Sequence, residues 1–342
     1  MDILKPNWKM RNIPLVSIVM PVFNAEKYIE KTVTSILRQT TENIEIVIVD
    51  DCSTDKTWNI LTKIAIKETR CRIYRLEKNT GSAKYPRDYA VLKSKGKFIC
   101  WIDADDIVGE NYIERLVQRQ QSTQADIVCS KMVAFNENND TVYTLPKEGF
   151  DYTQIINGKD AVMYTIGEKW DISVNGYLAK KELWCAAEHF LDKNVIQMNA
   201  DDLGSREMLL NSEIVAFENV EYRYRLHSQA ITKAISHKLF EPLITDKMVI
   251  DLFKRTFGYS SQTKAAWSQY FSHWIALMRI YVVKQKLLSI RSRNIAYNLL
   301  KEHKRNFKYN IIFSDRNFSL SRKLLLLSPF KVSMQIIKKI NS

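Results

Sequence analysis

Glycine is scarce, with nine residues in a chain of 342. No Gly-x-Gly-x-x-Gly follows the first apolar run and no Gly-x-x-x-x-Gly-Lys-Ser/Thr occurs anywhere, which excludes the usual dinucleotide turn and the P-loop. A backbone cradle for phosphates is hard to build from so few glycines, so a bound diphosphate would need a metal and cationic side chains. The five cysteines, Cys52, Cys71, Cys100, Cys129 and Cys185, form no Cys-x-x-Cys pair and lie largely in apolar runs, which points to a reduced, cytoplasmic compartment. Met1-Asp2-Ile3-Leu4-Lys5-Pro6 leads into no apolar h-region, and no stretch approaches the roughly 18 apolar residues that cross a bilayer. Neither export nor membrane spanning is expected. Acids are nearly missing from the last part of the chain: residues 251–342 carry 18 Lys/Arg against 3 Asp/Glu, net +15, whereas residues 1–250 carry 33 against 35, net −2. The whole formal excess of +13 sits in this tail, which calls for an anionic partner: a membrane surface, a polyanionic substrate or nucleic acid.

What is present is ordinary for a protein of about two domains, 46% hydrophobic and 26% charged. Val16–Met20 reads as a buried strand broken at Pro21-Val22-Phe23-Asn24, and Ile29, Val33, Ile36 and Leu37 follow at helical spacing. Ile44–Val49 is a second strand. It ends in Asp50-Asp51-Cys52-Ser53-Thr54-Asp55, of which Ser53, Thr54 or Asp55 can cap a helix with Trp58, Leu61, Ile64 and Ala65 on its apolar face. Arg72–Leu76 leads to Glu77-Lys78-Asn79-Thr80-Gly81-Ser82 and another helix. Strands alternating with helices predict a mostly parallel sheet covered on its faces, with ligands gathered outside the carboxyl ends of the strands.

The fourth strand, Phe98-Ile99-Cys100-Trp101-Ile102, hands over to Asp103-Ala104-Asp105-Asp106. In an extended segment Asp103 and Asp105 point to one side, as a hard divalent ion with a diphosphate requires. A polar turn capping the helix from Glu110 is the alternative. Lys84 and Arg87 could supply cations for phosphate. Ile127–Phe135 is a further strand. Trp170, Tyr177 and Trp184 are candidates for stacking on a sugar, with a place in the core as the ordinary alternative. Asp201 and Asp202 either cap the helix from Ser205 or supply a base for an acceptor hydroxyl. His227 is either structural or a ligand to metal or phosphate.

Residues 15 to about 233 resemble the family 2 glycosyltransferases of the GT-A fold, inverting bacterial sugar transferases of cell-surface polysaccharide synthesis. Val-Ser-Ile-Val-Met-Pro-Val-Phe-Asn-Ala-Glu, Ile-Leu-Arg-Gln-Thr, Glu-Ile-Val-Ile-Val-Asp-Asp-Cys-Ser-Thr-Asp and Asp-Ala-Asp-Asp carry the match in order and spacing, and Tyr222-Arg223-Tyr224-Arg225-Leu226-His227 extends it. The resemblance implies an α/β GT-A domain, a Rossmann-like, mostly parallel sheet flanked by helices over residues 1–238. Residues 239–342 then form a basic helical extension.

The same resemblance implies that Pro21, Phe23 and Asn24 line the base and ribose and that Asp51 accepts from the base imide. Asn79 and Arg87 would flank the nucleotide and its phosphates. Asp103 and Ala104 would hold the ribose or metal shell, and Asp105, with His227, would ligate a Mn or Mg ion. Arg225 would contact the diphosphate and Asp202 would act as base. Asp201 and Trp170 are weaker candidates on the acceptor side. The chain departs from the pattern at Pro86-Arg87-Asp88, where the family has Ala-Arg-Asn, at Asp201, where it has Glu, and at Ala230, where it often has Ser. A nucleotide-sugar donor, by default UDP-linked, and a glycan or lipid-linked acceptor follow as expected partners.

Leu287–Leu300 and Arg322–Ile340 alternate apolar residues with Lys and Arg, interrupted at Pro329. A solvated helical face or a surface resting on anionic lipid both fit, and lipid suits the charge step, so a peripheral position at the inner face of the cell membrane is expected. No recognisable nucleic-acid module is present, so nucleic acid is not an expected partner. An inactive scaffold of the same fold is the remaining alternative. Oligomeric state is not legible.

Overall fold

The structure, a computed structural model, describes residues 14–166, 176–195, 199–227, 235–315 and 318–340. The chain divides into two compact units, Met1–Ile196 with Gly204–His227, and Gln197–Leu203 with Ser228–Ser342.

In the first unit strands and helices alternate as β1 (Val16–Val22), α1 (Ile29–Leu37), β2 (Ile44–Asp50), α2 (Thr57–Lys67), β3 (Cys71–Arg75), α3 (Lys84–Lys93) and β4 (Phe98–Trp101). There follow β5 (Ile107–Val108), α4 (Tyr112–Thr123), β6 (Ile127–Phe135), β7 (Thr141–Leu145), β8 (Ile155–Ile156), α5 (Gly158–Tyr164), β9 (Tyr177–Lys180), α6 (Lys181–Cys185), α7 (Ala200–Leu210), whose residues up to Leu203 are assigned to the second unit, and β10 (Val215–Arg225). One sheet runs β3-β2-β1-β4-β9-β6-β10-β5, with β7 on β6 and β8 on β10. The first four strands are parallel. From β9 onward the sheet is mixed, because β9 runs antiparallel to both β4 and β6.

The period-two face of β1 (Val16, Ile18, Met20, Val22) shares a core with Ile29, Val33 and Ile36 of α1 and with Leu61 and Ala65 of α2. Each Val, Ile, Leu or Met among them removed from water contributes about 1.5–3 kcal/mol. A buried carboxylate, Glu45, ties the strand starts together: it accepts Ser17 Oγ at 2.6 Å and Arg72 Nη1 at 2.8 Å. Gly96 donates its N–H to Ser17 Oγ at 2.8 Å, and a Cβ on Gly96 would lie 2.6 Å from the Ser17 nitrogen, so glycine is required there. Since β1 lies between β2 and β4, the strand order reverses beside it. The carboxyl ends of β1 and β4 therefore open onto the crevice where parallel sheets bind ligands.

The second unit contains the helices α8 (Pro242–Phe257), α9 (Ser261–Lys284), α10 (Ile290–Arg305), α11 (Tyr309–Ser314), α12 (Leu320–Leu327) and α13 (Phe330–Ile340). Serines at 260, 289 and 319 cap α9, α10 and α12 by accepting backbone N–H groups of their first turns. The break between α12 and α13 falls at Ser328-Pro329, where the sequence pattern is interrupted. The core is aromatic: Trp274 and Tyr270 are fully buried, the Trp274 indole donates to Leu300 O at 2.9 Å, and Tyr270 Oη lies 2.8 Å from His303 Nδ1. Lys304 is buried under it, donating to the carbonyls of Leu325 and Leu326 with its amine 4.7 Å from the Trp274 ring. Among the described residues no helix is long and apolar enough to cross a membrane.

Candidate active site

The ends of β1 and β2 are laced together by side chains. Asn24 adopts a left-handed φ of 50° and its amide oxygen accepts Thr54 N at 2.8 Å, while its own N–H donates to Ser53 Oγ at 2.9 Å. None of the three proposed residues caps α2: its N-cap position is Lys56, without a side-chain cap, and Asp55 accepts Thr57 N at 2.9 Å in the turn before the helix. Pro21 lies within β1 opposite Val49, and Phe23 is exposed at the strand end.

Asp51 is buried, and its carboxylate accepts Thr80 N at 2.9 Å and Thr80 Oγ1 at 2.9 Å. Burial pushes it up to about 6, against the pull of the Thr80 hydrogen bonds. Asn79 donates to Asp51 O at 3.1 Å and accepts Gly81 N at 2.8 Å, which brings the end of β3 onto the end of β2.

On α3 the Arg87 guanidinium stands 3.7 Å from the Trp101 ring centroid, and its buried Nε has no hydrogen-bond partner among the described residues. The indole N–H of the same Trp101 donates to Asp103 Oδ1 at 2.8 Å. Arg87 and Asp103 are thus held by one aromatic side chain. The departure at Asp88 is absorbed inside the fold, where its carboxylate takes Lys84 Nζ at 2.6 Å, Leu191 N at 3.0 Å and Trp184 Nε1 at 3.3 Å. Pro86 sits in the first turn of α3, where a missing N–H is harmless.

The acidic turn after β4 is held from β10. Tyr222 Oη donates to Asp106 Oδ2 at 2.5 Å and accepts Asp103 N at 3.1 Å, and Asp106 Oδ1 accepts Arg225 N at 2.8 Å. Arg225 Nε donates to Asp105 O at 2.7 Å, and His227 Nε2 lies 2.8 Å from Asp105 Oδ2. The Ala104 carbonyl accepts Thr32 Oγ1 at 2.9 Å. Tyr28 packs beside this group, its ring 4.7 Å from that of His227 and 5.2 Å from the Arg225 guanidinium.

Asp103, Asp105 and Asp106 each offer a carboxylate oxygen within 4.8 Å of the others. They differ in what they can do. Asp106 is wholly buried, and desolvation beside two more carboxylates holds its proton on well above the usual range. Its two oxygens face Tyr222 and Arg225, so it is a tie between strands and not a cap for α4, which starts at Tyr112 after the short β5. Asp105 keeps about a third of its side chain exposed, and its imidazole neighbour has a buried Nδ1 without a partner among the described residues. Carboxylate oxygens with one imidazole are a donor set that fits a hard divalent cation.

Asp201 and Asp202 lie half-buried in the first turn of α7, with Asp202 N donating to Asn199 O at 3.0 Å. Tyr177 and Trp184 are buried against each other, rings 6.0 Å apart, and so form no exposed face for a sugar. Trp170 lies outside the described residues. Sequence reasoning assigned no role to Tyr222, Thr80, Tyr28 or Trp101. The only available signals were the polar company of Thr80 and the Tyr-x-Tyr-Arg pattern.

Residues 17–170 match the model of the family described as Glycosyl transferase family 2. Glycosyltransferase GlyG of Streptococcus pneumoniae is 32% identical over 225 residues, 64% of this chain and 73% of that protein. Glycosyltransferase GlyA of the same organism is 26% identical over 236 residues, 67% of this chain but only 33% of GlyA. Among solved structures, residues 1–349 of TarS from Staphylococcus aureus, in complex with UDP-GlcNAc, superpose with a TM-score of 0.69 at 16% identity, covering 95% of this chain and 91% of that one, a likeness of fold.

Proposed function

Because this chain belongs to glycosyl transferase family 2, we propose that it moves a sugar from a UDP-linked donor to a hydroxyl of a glycan or lipid-linked acceptor in cell-surface polysaccharide synthesis, with inversion at the anomeric carbon. Residues 1–238 carry the chemistry and residues 239–342 rest on an anionic membrane surface at the cytoplasmic face. A poly(ribitol-phosphate) beta-N-acetylglucosaminyltransferase, TarS, lies among the relatives, and UDP-GlcNAc in its solved structure supports the choice of nucleotide.

The observation that carries this reading is the convergence of Arg225 and His227 on the Asp105 segment at the mouth of the crevice, with Arg87 over the ring of Trp101 and Asp103 on its indole N–H. Asp51 accepts from the base imide, leaving Thr80 and Asn79 to hold its loop. Pro21, Phe23 and Asn24 bound the base and ribose, and Ala104 and Asp103 the ribose side. Arg87 and Arg225 place guanidinium charge where the diphosphate leaves. Asp105 and His227 would hold a Mn or Mg ion, with Asp103 in its surroundings. When bound, such an ion supplies positive charge that offsets the negative charge growing on the departing nucleotide. Asp202 removes the proton from the acceptor hydroxyl as that oxygen attacks the anomeric carbon, and Asp201 and Trp170 belong to the acceptor side.

Thermal-shift and calorimetric titration with UDP-, GDP- and dTDP-sugars, with and without Mn, tests the donor assignment. Saturable binding of a UDP-sugar strengthened by Mn is expected, and a preference for another nucleotide, or indifference to Mn, would overturn it.

A further inference from the structure

Residues 252–301 contain nine Lys and Arg and no Asp or Glu. In the middle of this stretch the chain turns from α9 into α10, and the turn is built to present apolar side chains outward. Val283, Leu287 and Ile290 are 60%, 66% and 77% exposed. Lys284, Lys286 and Arg291 alternate with them and are exposed as well.

The backbone under these side chains is closed. Arg293 Nε donates to Gln285 O at 2.9 Å and its Nη2 to Leu288 O at 3.4 Å, Ser289 Oγ accepts Ser292 N at 3.2 Å, and Leu288 is buried as the anchor. The aliphatic tips therefore stand on a fixed platform.

A single exposed aliphatic residue needs no explanation. Three on one turn, interleaved with three cations and without an acid for 50 residues, need a surface that is negative outside and apolar within. We propose that residues 283–291 are a membrane-docking turn, in which Val283, Leu287 and Ile290 enter the acyl boundary of an anionic leaflet while Lys284, Lys286 and Arg291 meet the headgroup phosphates. A nucleic acid has no apolar layer to receive the three tips. The inference rests on the membrane reading of residues 239–342 and gives it a location.

The test is sedimentation of the full chain with phosphatidylglycerol–phosphatidylcholine vesicles and with pure phosphatidylcholine vesicles, over a salt series, with UDP binding measured on the same samples. Wild type should partition to the anionic vesicles alone. The pair Leu287→Ser/Ile290→Ser should weaken partitioning at least roughly tenfold for each tip removed, and Lys284→Glu/Lys286→Glu should weaken it most at low salt. Both variants should keep wild-type UDP affinity. Sedimentation of the serine variant equal to wild type would overturn the turn as the docking element while leaving the membrane reading standing. No partitioning of wild type, with UDP binding intact, would overturn both and leave the transferase reading untouched. A concentration-dependent mass in light scattering that the serine variant abolishes would reassign the turn to a contact between two copies of the chain.

Discussion

The strand-end site and the C-terminal helices use charge in opposite ways. At the ends of β2 and β4 almost every carboxylate is spoken for: Asp51 by Thr80, Asp103 by Trp101, Asp106 by Tyr222 and Arg225. The carboxylates of Asp51 and Asp103 are fixed in position by neutral donors. In the helices the only deeply buried ammonium described, that of Lys304, lies against carbonyls and aromatic faces, while Lys284, Lys286 and Arg291 of the α9–α10 turn are exposed. The lesson is that position matters in the first region and sign in the second. The first should therefore respond to isosteric changes and the second to charge changes.

The sharpest break in this contrast is Asp105→Ala, which should cut transfer on the order of 10⁴-fold and abolish any gain in UDP affinity from Mn, checked by kinetics and titration calorimetry. Next, Asp202→Asn should fold and bind UDP normally, yet lose about 10³-fold in turnover. Substantial residual turnover would reassign the base.

Tyr222→Phe removes one hydroxyl and leaves Asp106 and the Asp103 N–H each short of a partner, which should cost about 1–3 kcal/mol of stability by denaturant unfolding. Mn-stimulated UDP binding should weaken with it.

Asp51 gives a test by pH. Acceptance from an imide needs the carboxylate, and burial sets its protonation at about 6, so UDP affinity should be flat above pH 7 and fall up to about tenfold per unit below 6. Asp51→Asn should bind more weakly but without that pH step. The contribution of Asp51 to stability runs the other way: the folded state keeps the proton up to about 6, so stability falls as pH rises from the usual carboxylate range to that value.

The smallest effect concerns Lys304, whose amine burial pulls down to about 7. Between that pH and the usual lysine range the unfolded chain binds the extra proton, so stability should rise with pH across the window. Lys304→Met should flatten the rise in thermal melts.

Much of the first region was legible because it is written in short periods. Val16–Val22, Ile44–Asp50 and the Ile29, Val33, Ile36 face each occupy one element, so local alternation or helical spacing names them. The Asp-Ala-Asp-Asp turn was legible as a cluster of acids, but the division of labour among its carboxylates was not. Tyr222 and Arg225 meet Asp106 across 116 and 119 residues, and nothing in the residues near 106 announces a partner so far along the chain. The engagement of Asn24 with Thr54 and of Asp51 with Thr80 was hidden for the same reason, since both pairs span about 30 residues. Tyr177 and Trp184 show the converse, because an aromatic residue reads alike whether it faces a ligand or a core.

The grip of β10 on the acidic turn has a consequence for anyone who would redesign this protein. Asp103, Asp105, Asp106, Arg225 and His227 are linked through Tyr222 and one another by hydrogen bonds, so a change meant for one will be felt by the others. If Phe23 bounds the base as proposed, altering which donor is accepted is better attempted there, since its ring lies exposed just beyond β1 and shares none of those bonds.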